Sequence, residues 1–167
     1  MSTVFDGAGF KAERIAQQQF NGVLATKLDD QYKDIDLFIQ GKDKEWKSVS
    51  VKDQLWSSGK YGGIQIELTL TDTRTMNTMP GCFYANQADY YFWRVSVNGN
   101  DSWLVIDCDV MKAYVKQNIE TLKTWQTRQA TEEKNRTYKR TFDRASGVTI
   151  PVVNLLSLGK VLAVKEV

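Results

Sequence analysis

Histidine does not occur among the 167 residues. Histidine-based triads and zinc sites that need imidazole are therefore excluded, and the two cysteines, Cys82 and Cys108, are too few for a Cys₄ site. Any metal must be held by oxygen ligands, which favours Mg²⁺, Mn²⁺ or Ca²⁺. Proton transfer must run through carboxylates, lysine, tyrosine or a metal-activated water. Two thiols so far apart in the sequence fit buried cysteines in a reducing compartment, so a cytoplasmic location is expected. Proline occurs only at Pro80 and Pro151. With no repeat and no low-complexity linker, residues 1–167 are expected to form one domain. No apolar run reaches the roughly 18 residues of a transmembrane helix, so no membrane partner is expected. The opening Met-Ser-Thr-Val-Phe-Asp-Gly lacks a basic region followed by an apolar one, so no secretory signal is expected.

What is present reads as an α/β chain, a mixed central sheet flanked by helices. Residues 10–25 carry Ala12, Ile15, Ala16, Gln19, Phe20 and Val23 at helical spacing, with Glu13 beside that stripe. Residues 34–40 alternate as a strand, with Ile35, Leu37 and Ile39 facing one way and Asp34, Asp36 and Phe38 the other. Residues 46–53 form the second arm of a hairpin, placing Val49 and Val51 opposite Ser48, Ser50 and Lys52. Residues 57–63 predict a flexible glycine-containing loop. A third strand over 64–70 alternates Ile64, Ile66, Leu68 and Leu70 against Gln65, Glu67 and Thr69. A hairpin over 88–107 turns around residues 98–101. Asp109 is expected to cap a helix reaching about Gln126, with Val110, Met111, Tyr114, Val115, Ile119 and Leu122 as its apolar side. A last strand is predicted over 148–156.

Polar groups thus recur on one face of three consecutive strands: Asp34 and Asp36, then Ser50 and Lys52, then Glu67. If the strands are neighbours, these groups converge. Carboxylates from adjacent strands can hold a hard divalent cation, and a nearby lysine can steady charge on a phosphodiester. The same alternation also describes an ordinary solvated strand face.

The segments Asp34-Ile35-Asp36-Leu37-Phe38-Ile39 and Ser48-Val49-Ser50-Val51-Lys52-Asp53-Gln54 resemble the two active-site strands of the PD-(D/E)XK nuclease superfamily. The segment Gly62 to Glu67, together with Pro80-Gly81 and residues 88–91, is similar to the region after the catalytic lysine in small phage-type members, and the leading helix with Glu13 resembles their first helix. This resemblance covers roughly the first 110 residues. It implies Asp36 as the metal-binding aspartate, with Asp34 the less favoured choice, and Lys52 as the catalytic lysine. The position two before the lysine should be acidic and is Ser50. Either Glu67 supplies the missing carboxylate, with Glu13 a third acidic member, or the site is degenerate and the domain only binds nucleic acid or protein. Gln54, two residues past Lys52, is either a phosphate contact or a surface amide.

Net charge is only +2, but residues 128–144 hold six basic residues against three acidic ones. Arg128, Lys134, Arg136, Lys139, Arg140 and Arg144 suit a phosphate backbone, or equally a solvated surface segment. The loop over 57–63, with Lys60 and Tyr61, directly follows the lysine strand and is expected to contact substrate, its glycines permitting close approach to a backbone. Four of the five tryptophans are expected in the core or an interface; Trp56, beside that loop, is the exception. The expectation is an Mg²⁺- or Mn²⁺-dependent DNA endonuclease, for which a homodimer would supply two sites for two strands.

Overall fold

The computed structural model describes residues 8–72, 75–123, 128–135 and 140–166. In chain order they form α1 (Ala8–Phe20), β1 (Val23–Leu24), α2 (Leu28–Tyr32), β2 (Leu37–Gln40), β3 (Trp46–Asp53), α3 (Leu55–Tyr61), β4 (Gly63–Asp72), β5 (Thr78–Pro80), α4 (Cys82–Ala85), β6 (Tyr90–Val97), β7 (Asn100–Asp107), α5 (Cys108–Lys123), β8 (Arg128–Asn135), β9 (Arg140–Pro151) and β10 (Lys160–Ala163). Two short 3₁₀ turns separate β9 from β10. None of the described helices is long and apolar enough to cross a membrane.

The strands make two sheets. The first runs β1-β2-β3-β6-β7-β10 and the second β5-β4-β9-β8. In the first sheet β3 pairs β6 in parallel and every other pairing is antiparallel, so the mixed α/β architecture expected from the sequence is present. The hairpin of β6 and β7 closes on Asn98 and Gly99, both at positive φ (51° and 78°), the two-residue turn that matches strand twist.

Each face of the first sheet covers its own core. On one face α1 lays Ala12, Ile15 and Ala16 against Leu37, Val49, Val51, Phe92 and Trp103. Ala12 and Ala16 are fully buried. With no side chain beyond Cβ, they let α1 sit close to β3, and Glu13 rides down with them. On the other face Ile35, Tyr91, Trp93, Val95, Leu104 and Ile106 pack with Ile64, Ile66, Val148 and Ile150 of the second sheet and Met111, Val115 and Leu122 of α5. Alternation along β3 sends Val49 and Val51 to the first core and leaves Ser50 and Lys52 on the second face, as their spacing predicts.

Several local expectations fail for identifiable reasons. The strand begins at Leu37, not at residue 34, because Asp34 is left-handed (φ 57°). That twist turns Ile35 into the inter-sheet core, away from Leu37 and Ile39. Residues 57–61 are helical, not a flexible loop. Ser57 and Ser58 are buried, with Ser57 Oγ donating to the Gly63 carbonyl (3.0 Å) and Ser58 Oγ to that of Gln54 (2.6 Å). Gly62 ends α3 at φ 72°, a left-handed helix stop. Helix α5 is capped by Asp107, not Asp109: its Oδ1 accepts the N–H groups of Asp109 (2.9 Å) and Val110 (3.3 Å). The basic tract includes two paired strands, β8 and β9, and the strand predicted over 148–156 is the end of β9, which stops at Pro151, with β10 following.

The second sheet needs a glycine opposite its irregularity. The β4–β9 register shifts between Glu67 and Thr69, and Gly147 lies against Glu67. A Cβ on Gly147 would collide with the carbonyl oxygen of Ile66. Gly147→Ala should therefore lower unfolding stability by about 2 kcal/mol in a urea titration; an unchanged midpoint would contradict the close backbone approach.

Candidate functional site

The site is built where β2 stops. In a regular ladder the strand before Leu37 would go on pairing with β3. Here the Asp36 N–H still donates to the Val49 carbonyl (2.9 Å), and then the side chain takes over: Asp36 Oδ2 accepts the Val51 N–H at 2.6 Å. The chain upstream is free to turn, and the left-handed conformation at Asp34 is one that aspartate tolerates better than most residues.

That turn brings Asp34 onto the polar face of β3. Its carboxylate receives Lys52 Nζ at 2.7 Å on Oδ1 and 2.6 Å on Oδ2, Ser50 Oγ at 3.1 Å and Asn86 Nδ2 at 3.2 Å. Ser50 and Asn86 are completely buried. Asn86 is held in turn: its Oδ1 accepts the Ala88 N–H (2.8 Å), and Lys112 Nζ donates to its backbone carbonyl. Burial alone would lower the pKa of Lys52, but the Asp34 and Asp36 charges and the hydrogen bond to Asp34 outweigh it and hold it above the ordinary lysine range. Lys52 is thus a fixed cation across the physiological range, able to stabilise anionic charge and not to serve as a base.

Asp36 faces a second acid from the opposite side. The carboxyl of Glu13, on α1, hydrogen-bonds Asp36. Burial, the Asp36 charge and that hydrogen bond raise Glu13 to about 7. Burial raises Asp36 to about 6, against the opposing pull of Lys52 and the Val51 N–H. Two acids held together in partial burial cannot both be ionised cheaply, so at neutral pH they share a proton.

Glu67 stands apart. The three polar strands are not all neighbours, because β4 belongs to the second sheet. Glu67 Oε1 accepts the Cys82 N–H at 3.2 Å. The charges of Asp36, Lys52 and Asp34 act on Glu13 and those of Lys52 and Asp34 on Asp36, while Cys82 feels Lys52, Glu67 and Asp34. Gln54 points its carbonyl at the Gln65 N–H (3.1 Å), tying the end of β3 to β4. Lys60 and Tyr61 are exposed on α3 beside Trp56. Arg128, Lys134, Arg140 and Arg144 lie on β8 and β9, and Arg136 and Lys139 fall outside the described residues. Asn86 is a site residue that sequence reasoning misses; its one signal is the short polar residue two before Ala88, the spacing of an Asx turn.

Among the described residues, no three acidic or cysteine side chains gather closely enough to hold a metal on protein ligands alone. Glu13 and Asp36 make a two-carboxylate donor set. That set suits Mg²⁺, which commonly keeps several waters and takes one or two carboxylates plus substrate phosphate.

The shared proton sets the sign of a pH effect in metal-free protein. Folded Glu13 keeps its proton to about 7, whereas an unperturbed glutamate releases it near 4.5. An acid with a raised folded-state pKa favours folding at low pH, and that contribution fades as pH climbs from 4.5 through 7. In EDTA, Glu13→Gln should flatten this part of the stability profile and stabilise the protein at pH 8 by about 1 kcal/mol, after allowance for solvent screening. Parallel wild-type and variant profiles would contradict the shared proton. Asp34→Asn removes the counter-charge of a largely buried lysine and should cost about 2–3 kcal/mol in denaturant unfolding; a loss under about 0.5 kcal/mol, typical of an exposed ion pair, would contradict this geometry.

No family model, curated protein or solved structure matched this chain in comparison with known proteins.

Proposed function

We propose that the protein is a metal-dependent nuclease that hydrolyses DNA phosphodiesters at the Glu13–Asp36–Lys52 cluster, and that its core is of the PD-(D/E)XK kind. One observation carries this: an acid from the first helix and an acid from the head of β2 meet beside a fixed lysine cation on β3. A carboxylate pair next to a cation suits a phosphodiester, whose attack builds negative charge on nonbridging oxygens.

Glu13 and Asp36 would hold Mg²⁺ or Mn²⁺ after losing their shared proton. Such an ion would offset phosphate charge and make a neighbouring water more acidic. Lys52 has three N–H donors, and Asp34 occupies no more than two of them, leaving one for a phosphate oxygen. Asp34, Ser50 and Asn86 position that ammonium. Ser50 stands where the resemblance calls for an acid, and its buried hydroxyl serves Asp34. In this reading Glu13, not Glu67, supplies the second carboxylate.

The occupation of Ser50 also favours a second reading, a module that binds nucleic acid without cutting it. Plasmid nicking separates the two. With Mg²⁺ or Mn²⁺, the nuclease should nick DNA. Lys52→Ala and Asp36→Asn should each lose about 100-fold or more in rate, Glu13→Gln should fall with them, and Glu67→Gln should stay within about threefold of wild type, well short of that loss. Binding without nicking in either metal would favour the module, and loss of nicking in Glu67→Gln with Glu13→Gln active would overturn the assignment of carboxylates.

A further inference from the structure

Helix α3 begins a few residues after Lys52, and its outer side is unusual. Trp56 and Tyr61 are 66% and 59% exposed. Their rings meet edge to face, with centroids 5.6 Å apart. Lys60 Nζ lies 5.0 Å from the Trp56 ring centroid and 5.3 Å from that of Tyr61. The inner side of the helix does the packing through Ser57 and Ser58, so the aromatic residues contribute little to the core. The helix has no acidic residue. The patch is therefore aromatic and cationic at once.

We infer that Trp56, Lys60 and Tyr61 form a stacking platform for unpaired bases, so that the substrate is single-stranded DNA or carries a single-stranded arm next to the phosphodiester at Lys52. Any base offers a π-face to an aromatic ring, and Lys60 supplies charge for the accompanying phosphate. Trp56 lies four positions after Lys52 in the chain, so their Cα atoms are at most about 14 Å apart. That places the platform within reach of nucleotides flanking the one at Lys52. Bases within a duplex are stacked on their neighbours and do not present a free face, so the platform selects against intact duplex. The specificity rests on the phosphodiester reading above, but the platform does not require that the site cut.

The test uses the full chain in EDTA, where cleavage cannot occur. Binding of a short fluorescent oligothymidylate and of a blunt duplex of equal length is followed by anisotropy, together with tryptophan emission. The oligothymidylate should bind more tightly and quench emission. Trp56→Leu and Tyr61→Leu should each weaken it by about fivefold or more, with Trp56→Leu losing most of the quench, and neither should alter duplex binding. Lys60→Gln should lower the slope of log affinity against log salt by about one. Absence of plasmid nicking in Mg²⁺ or Mn²⁺ would leave this aromatic-dependent binding standing, so the two readings fail separately. Wild-type affinity in both aromatic variants, or a preference for duplex, would overturn the platform. So would Trp56-dependent self-association in sedimentation without oligothymidylate binding, which would make the patch a protein interface.

Discussion

Where a backbone carbonyl would ordinarily continue the ladder, the side chain of Asp36 accepts the Val51 N–H instead. The remaining site geometry depends on that substitution. It satisfies a β3 donor without further strand, which frees the chain to reverse at left-handed Asp34. The reversal points one aspartate at Lys52 and leaves the other facing Glu13. A backbone partner at Val51 would have carried the strand past this point, with Asp34 and Asp36 on the same side. The cost of assembling acids and a lysine in partial burial is met by satisfying nearly every polar atom, with Ser50, Asn86 and the Val51 N–H each assigned to a carboxylate oxygen.

The scaffold holds these groups from three directions. The buried alanines of α1 set its distance from β3 and therefore the depth of Glu13. Parallel pairing with β6 fixes β3 laterally; Asp89 accepts the N–H and hydroxyl of Ser48 at one end, and buried Arg94 meets Asp53 (3.5 Å) and Asp101 (2.7 Å) at the other. The second sheet closes the inter-sheet core and brings α4, with Cys82, to the margin of the site. Among the described residues Trp93 Nε1 is a buried donor without a partner; Trp93 pairs with Lys52 across the β3–β6 ladder.

Much of this is legible in the sequence where periodicity governs. The phase of β3 comes from Val49 and Val51 alternating with Ser50 and Lys52, and the face of α1 from Ala12, Ile15 and Ala16. The tight hairpin comes from Asn98-Gly99. The illegible parts depend on tertiary choices. Alternation cannot reveal a left-handed residue, so period two alone sets Asp34 and Asp36 side by side on one strand face. Nothing local tells β4 to join a different sheet from β3, so alternation groups Glu67 with Lys52. Gly62 carries a readable helix stop, but the glycines around it suggest a loop. Asn86 enters the site from a distant segment through a buried amide, and a single sequence gives no sign of such a contact.

We propose that Glu13 and Asp36 together seat a divalent cation beside Lys52, and anomalous scattering from crystals soaked in Mn²⁺ would reveal that ion. A peak within coordination distance of both carboxylates, with Lys52 still on Asp34, is the predicted result. A peak on Glu67, or none at concentrations that occupy ordinary carboxylate sites, would contradict it.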